Sequence, residues 1–155
     1  MAQGHLMTIG RTFGVVLQHD EDLVGGLVKF CQENDVRQGF LPVLLGGLSE
    51  VDLCGTCEPV ADPQAPVWSP VRLTSVEAHG TGSIAVDAGT GQLSVHVHLS
   101  AGRRHAGADG YTSHLLGGTV QFLFEAMLVE VVGPPMLRLR DPGRYEIPYL
   151  AFGAS

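Results

Sequence analysis

Three histidines stand at spacings that metal chemistry can use. His96 and His98 are separated by one valine in Leu93-Ser94-Val95-His96-Val97-His98-Leu99-Ser100, and His114 follows in Gly110-Tyr111-Thr112-Ser113-His114-Leu115-Leu116. The first stretch alternates apolar and polar. As a strand it sends Leu93, Val95, Val97 and Leu99 to one face and Ser94, His96, His98 and Ser100 to the other. At ~3.3 Å per residue the two histidine Cβ atoms lie roughly 6.6 Å apart, a gap that two imidazoles can close around one ion. His114 joins them if the apolar stretch after it, 119–132, runs back beside the histidine strand. Three neutral imidazoles supply most of a tetrahedral zinc shell and leave one position open, where a bound water would have its pKa lowered toward ~7.

A hydrolytic use of such a site needs a general base and an oxyanion partner, for which Glu77, Glu125 and Tyr111 are candidates. Ser94, Ser113 and Glu125 are candidates to accept the second ring N–H of the ligating imidazoles. The competing reading of any one histidine is a hydrogen-bonded residue at the surface or core edge, and His79, at a strand end, and His105, in a loop, are assigned to it. Cys54-Gly55-Thr56-Cys57 has a spacing used by zinc and thiol redox centres. With no second such pair and no strand-to-helix context, its thiols are read as incidental. Gly117-Gly118 lacks the lysine and helix of a phosphate loop and is read as close strand packing.

The elements that must position the histidines follow from periodicity. Residues 8–17 read as a first strand, and a helix follows, with Asp20 as its cap, Leu23, Leu27, Phe30 and Cys31 facing the sheet, and Asn34-Asp35 ending it. Gly25 and Gly26 inside the helix are read as tolerated. Residues 40–45 form a short apolar run whose Pro42 marks an edge, a bulge or a strand end, and Gly46-Gly47 breaks it. Alternation returns over 50–54. Residues 55–70 read as a surface loop, with turns at Asp62-Pro63 and Ser69-Pro70 and Trp68 packed back on the body. Residues 73–79 and 82–86 are two short strand pieces, 87–91 is a turn, and 102–110 is a loop. Residues 121–132 are apolar on both faces except for Glu125 and Glu130, which places them centrally or at a subunit contact. Residues 136–140 with Asp141-Pro142-Gly143 suggest a last hairpin. The expectation is a single α+β domain over 1–155, core about 10–151: a mostly antiparallel twisted sheet packed with one main helix.

Composition narrows the function. Charged residues are 16% of the chain and hydrophobic ones 45%, so polar surface is scarce and burial in an oligomer is expected. A net charge of −7 opposes phosphate binding, and the one basic cluster is Arg103-Arg104-His105. The absence of a signal-like N-terminus or a ~18–20-residue apolar span, together with three cysteines, points to a cytoplasmic protein.

The HVH strand, GYTSHLLGGTVQF, DEDLVGGLVKFCQENDVRQGF and GGLSEVDL together resemble the plants-and-prokaryotes conserved (PPC) domain, over about 10–151. The resemblance implies a compact trimeric α+β domain. In several prokaryotic members it also implies a metal held by histidines matching His96, His98 and His114. Ser113 stands where many members carry glycine, and the plant branch lacks the histidines, so the metal is a property of a subgroup. The Arg-Gly-Arg-Pro hook that accompanies the domain in plant nuclear proteins is missing. Two functions are carried forward. One is a homotrimer whose three-histidine divalent-metal site, zinc by preference, binds or acts on a small molecule. The other is an oligomerising protein-interaction module, DNA-associated as in the plant family, without catalysis.

Overall fold

The computed structural model describes residues 4–55, 69–105, 107, 109–144 and 146–153. Its elements are β1 (Thr8–Gln18), α1 (Leu23–Glu33), β2 (Gly39–Gly55), β3 (Ser69–Asp87), β4 (Leu93–Arg103), β5 (Gly110–Gly133), β6 (Met136–Leu139), a short 3₁₀ turn (Pro142–Arg144) and β7 (Tyr149–Phe152). Strands run in the order β1-β5-β2-β3-β6-β7, while β4 pairs with both β3 and β5. The pairings β2–β3–β4–β5 therefore return on themselves. All are antiparallel apart from the two-residue β3–β6 contact. Alternation decides what lies inside: Val97, Leu99 and Ala101 of β4 and Phe124 and Leu128 of β5 join Leu23, Leu27 and Cys31 of the helix in one core. A fully buried Leu or Phe contributes about 1.5–3 kcal/mol relative to exposure, so this helix face holds α1 on the sheet. A second cluster of Ala85, Val131 and Met136, with Phe40, Leu150 and Phe152 against it, seats the β6–β7 hairpin.

The helix is capped by Asp22, not Asp20. The Asp22 carboxylate accepts from the N–H groups of Val24 and Gly25 at 3.2 and 3.1 Å, whereas Asp20 stands at φ 67° in the preceding turn. Gly26 is a close approach: a Cβ there would lie 2.5 Å from Leu17 Cδ2 of β1.

Glycines that look like strand breaks in the sequence are contact points in the sheet. β2 runs unbroken through Gly46-Gly47, because a Cβ on Gly46 would meet the Leu123 carbonyl of β5 at 2.6 Å and glycine lets the backbones close. Likewise 73–79 and 82–86 are one strand, since Gly80 and Gly82 face the His98 and His96 carbonyls of β4 where side chains would clash. Pro42 sits at a bulge, where the register with both neighbours shifts, which lets proline occupy an inner strand. Ser69-Pro70 begins β3, paired with Gly55 and Cys54, and is no turn. Gly102 and Gly110 pair with each other, which shortens the expected 102–110 loop. The expected places of Asp62-Pro63, Trp68 and Cys57 lie outside the described residues. Among the described residues, no helix is long and apolar enough to cross a membrane.

Candidate metal centre

β4 and β5 bring the three histidines together as adjoining strands should. His98 and His114 are direct cross-strand partners, and His96 lies one same-face step along β4. Ring centroids are 4.7 Å apart for His96–His114, 5.1 Å for His96–His98 and 5.6 Å for His98–His114. One nitrogen of each ring can be chosen so that all lie within 4.8 Å of one another. Tetrahedral ligation at ~2.0–2.1 Å needs nitrogens roughly 3.4 Å apart. The donor set is therefore one that could hold a divalent ion once the rings close that difference. His98 is exposed while His96 and His114 are half-buried, which leaves the cluster open on one side.

Electrostatics favour the ligand form of the rings. Burial pushes the His96 pKa down to about 4, helped by the nearby positive charge of Arg138 and by the other two histidines. His114 is also lowered, first by burial and then by His98 and Arg138. Both are therefore neutral at pH 7, the state in which an imidazole binds metal.

β3 completes the face. Thr81 stands opposite His98 and Ser83 opposite His96. The Ser83 hydroxyl accepts from Arg138 NH2 at 2.5 Å, so the β6 guanidinium is delivered to the His96 end of the site. In the other direction, Ser100 and Thr112 follow His98 and His114 on the same face, their hydroxyls 2.9 Å apart. They line an open pocket of about 480 Å³ shared with His79, Tyr111 and the Glu77–Arg104 pair.

The helper residues expected from sequence are placed less uniformly. Ser94 shares the face of His96, one step further along β4. Ser113 points the other way from His114 and donates its hydroxyl to the Cys54 carbonyl. Tyr111, also of opposite phase to His114, reaches the pocket and not the imidazoles. Glu77 is held by Arg104, whose Nε and NH2 lie 3.1 and 2.6 Å from one carboxylate oxygen. Glu125 pairs with Leu45 and Val16, eleven residues along β5 from His114, roughly 36 Å of extended strand. Ser113, Glu77 and Glu125 are thus spent on other contacts or too remote to steady the rings. His79 is no strand end but a mid-strand residue opposite Ser100, at the pocket. His105 lies in the β4–β5 turn, where it was expected. Cys54 is buried, and burial pushes its thiol pKa up, away from the reactive thiolate. Sequence reasoning missed Ser83 and Arg138. The available signal was an arginine in the buried phase of Met136-Leu137-Arg138-Leu139.

A mostly antiparallel sheet that closes through its histidine strand, carries one helix and presents a three-histidine cluster defines an α+β domain with a candidate metal centre. The family model described as the Plants and Prokaryotes Conserved (PCC) domain matches residues 5–132, and the chain belongs to that family. Among solved structures, a plant- and prokaryote-conserved protein from Pyrococcus horikoshii is 20% identical over 100% of both chains, with a TM-score of 0.80. A metal-containing protein from Archaeoglobus fulgidus is 16% identical over 97% of this chain and 99% of its own, also with a TM-score of 0.80. A candidate DNA-binding protein from Ralstonia eutropha JMP134 is 23% identical over 90% of each chain, with a TM-score of 0.73. At these identities the likeness is one of fold. No curated protein matches the sequence.

Proposed function

We propose that this chain is a homotrimeric metal-binding protein whose His96, His98 and His114 hold one divalent ion per subunit, zinc by preference, at a site that takes up or transforms a small molecule. The observation that carries the reading is the cross-strand pairing of His98 with His114 beside His96, with nitrogens within 4.8 Å. The metal-containing relative from Archaeoglobus fulgidus supports it. When bound, the ion would polarise an oxygen of water or ligand at the position the three imidazoles leave open. The protein's part is to keep His96 and His114 neutral by burial and to offer the Ser100–Thr112 pocket alongside. The test is metal content after purification without a nickel column. Wild type and His105→Ala should carry about one ion per subunit and His98→Ala almost none, with the fold retained. Full occupancy in His98→Ala, or equal loss in His105→Ala, would refute the ligand set.

The trimer is supported by an apolar face on the outside of the sheet. Val16 of β1 and Leu45 of β2 flank Glu125 of β5, and Val43 flanks Met127; all four apolar side chains are exposed, while Val15, Leu44 and Ala126 point inward. Exposed apolar side chains gathered on one face around a single carboxylate in this way support an association site. Light scattering should give close to three times 16.4 kDa; the mass of one subunit across micromolar concentrations would contradict it. The same face would serve the second reading, an oligomerising interaction module, DNA-associated as in the plant branch. That reading needs no open metal site, and its DNA arm is opposed by the net charge of −7.

A further inference from the structure

We infer that Arg138 and Ser83 make the His96 end of the histidine cluster an oxyanion subsite, so that the molecule this centre takes carries a carboxylate or a similar small oxyanion. The inference rests on the metal reading above and adds the class of ligand. Its residues come from a different part of the chain: Arg138 lies on β6, beyond the 5–132 stretch that the family model matches.

Arg138 is 3% exposed. Other arginines of this chain sit against carboxylates: Arg11 on Glu130, Arg72 on Asp52, Arg103 on Asp109, Arg104 on Glu77 and Arg140 on Asp87. Arg138 has no such partner among the described residues. Its neighbour in register, Asp87, is committed to Arg140 and to the N–H groups of Gly89 and Thr90. The guanidinium donates through NH2 to the neutral Ser83 hydroxyl, and its Nε is buried without an acceptor. Burying an uncompensated cation is costly, and the usual remedy is an anion held by charge-assisted hydrogen bonds. A divalent ion on the imidazoles would add to the positive charge a short way off. The two then demand the same thing of a ligand: negative oxygen, shared between the ion's open position and the guanidinium.

The geometry gives such a ligand a direction. Ser83 pairs with His96, His98 with Thr81, and Ser100 with His79, so Arg138, the three imidazoles and the pocket follow one another along a single face. An oxyanion group at the Arg138 end leaves the rest of the molecule running past the open ion position toward the Ser100 and Thr112 hydroxyls. Arginine suits this role better than lysine, because its planar fork matches a carboxylate.

Cobalt(II) is the probe, since its visible absorption reports changes in the coordination shell independently of any activity. Protein stripped with a chelator is loaded with cobalt and titrated with acetate at constant ionic strength, with acetamide as the neutral control. Acetate should shift the cobalt bands saturably and acetamide should not. Arg138→Gln should bind cobalt one-to-one as wild type does, yet need at least ten times more acetate for half the change. Ser83→Ala, which removes the hydroxyl that holds the guanidinium at the His96 end, should weaken acetate several-fold and decides the matter should Arg138→Gln fail to fold. Stoichiometric cobalt with no response to acetate, or with equal acetate affinity in the folded variants, overturns the subsite and leaves the metal site standing. Failure of wild type to bind cobalt overturns both.

Discussion

Replacing Glu130 by Gln should loosen the join between β1 and β5, the strand whose other end carries His114. Glu130 is 9% exposed and takes three hydrogen bonds from Arg11: Nε at 2.8 Å, NH2 at 2.7 Å and the backbone N–H at 3.0 Å. A register shift between Ile9 and Thr12 turns Arg11 toward it. Hydrogen bonds to a charged group contribute about 1.5–3 kcal/mol each, but the Arg11 side chain is half exposed and solvent screens it, so about 2 kcal/mol is expected for the whole clamp. For a chain of this length that is a fall in Tm of about 4–8 °C at pH 7. The pH dependence has a definite sign. Arg11 holds the Glu130 carboxyl down at about 2, below its ordinary 4.5, so the stabilisation is complete above pH 4.5 and is lost as pH falls toward 2. Thermal melts of wild type and Glu130→Gln, at one protein concentration, should differ most at pH 7 and converge by pH 2. An unchanged Tm at pH 7, or a gap that persists undiminished to pH 2, would refute the clamp.

Two further outcomes follow from charge. His96 is held at about 4 by burial, Arg138 and the other histidines, so metal-free protein should lose stability as pH falls from about 6.5 to 4, where the unfolded chain takes up a proton that the folded site refuses. His96→Gln should flatten that window in chelator-treated denaturation curves, and an unchanged slope would count against it. Duplex DNA should not bind appreciably at physiological salt, given the net charge of −7; salt-sensitive binding tighter than micromolar in a fluorescence titration would contradict this.

The site was legible where it depends on strand period. Alternation over 93–100 puts His96 and His98 on one face, and the apolar stretch after His114 implies the returning strand, so strand period alone assembles the cluster. The helix likewise follows from the spacing of Leu23, Leu27 and Cys31. Strand lengths were less legible, because glycine has two opposite uses. Gly46-Gly47 and Gly80-Thr81-Gly82 look like breaks, and only the presence of a neighbouring backbone shows that they permit contact. The cap moved from Asp20 to Asp22 since three acidic residues in succession offer equivalent oxygens, and the chain turn chooses among them. Partner choice was least legible: which base meets Glu77, or what approaches His96 from β6, depends on contacts between distant segments that no local pattern encodes.

The coordination shell of the bound ion tests the central claim most directly. X-ray absorption on zinc-loaded protein should show three imidazole nitrogens at roughly 2.0–2.1 Å and one further oxygen, with the imidazole signal gone in His98→Ala. A closed shell of four protein ligands, a sulfur ligand, or no stoichiometric zinc would contradict it and favour the interaction module.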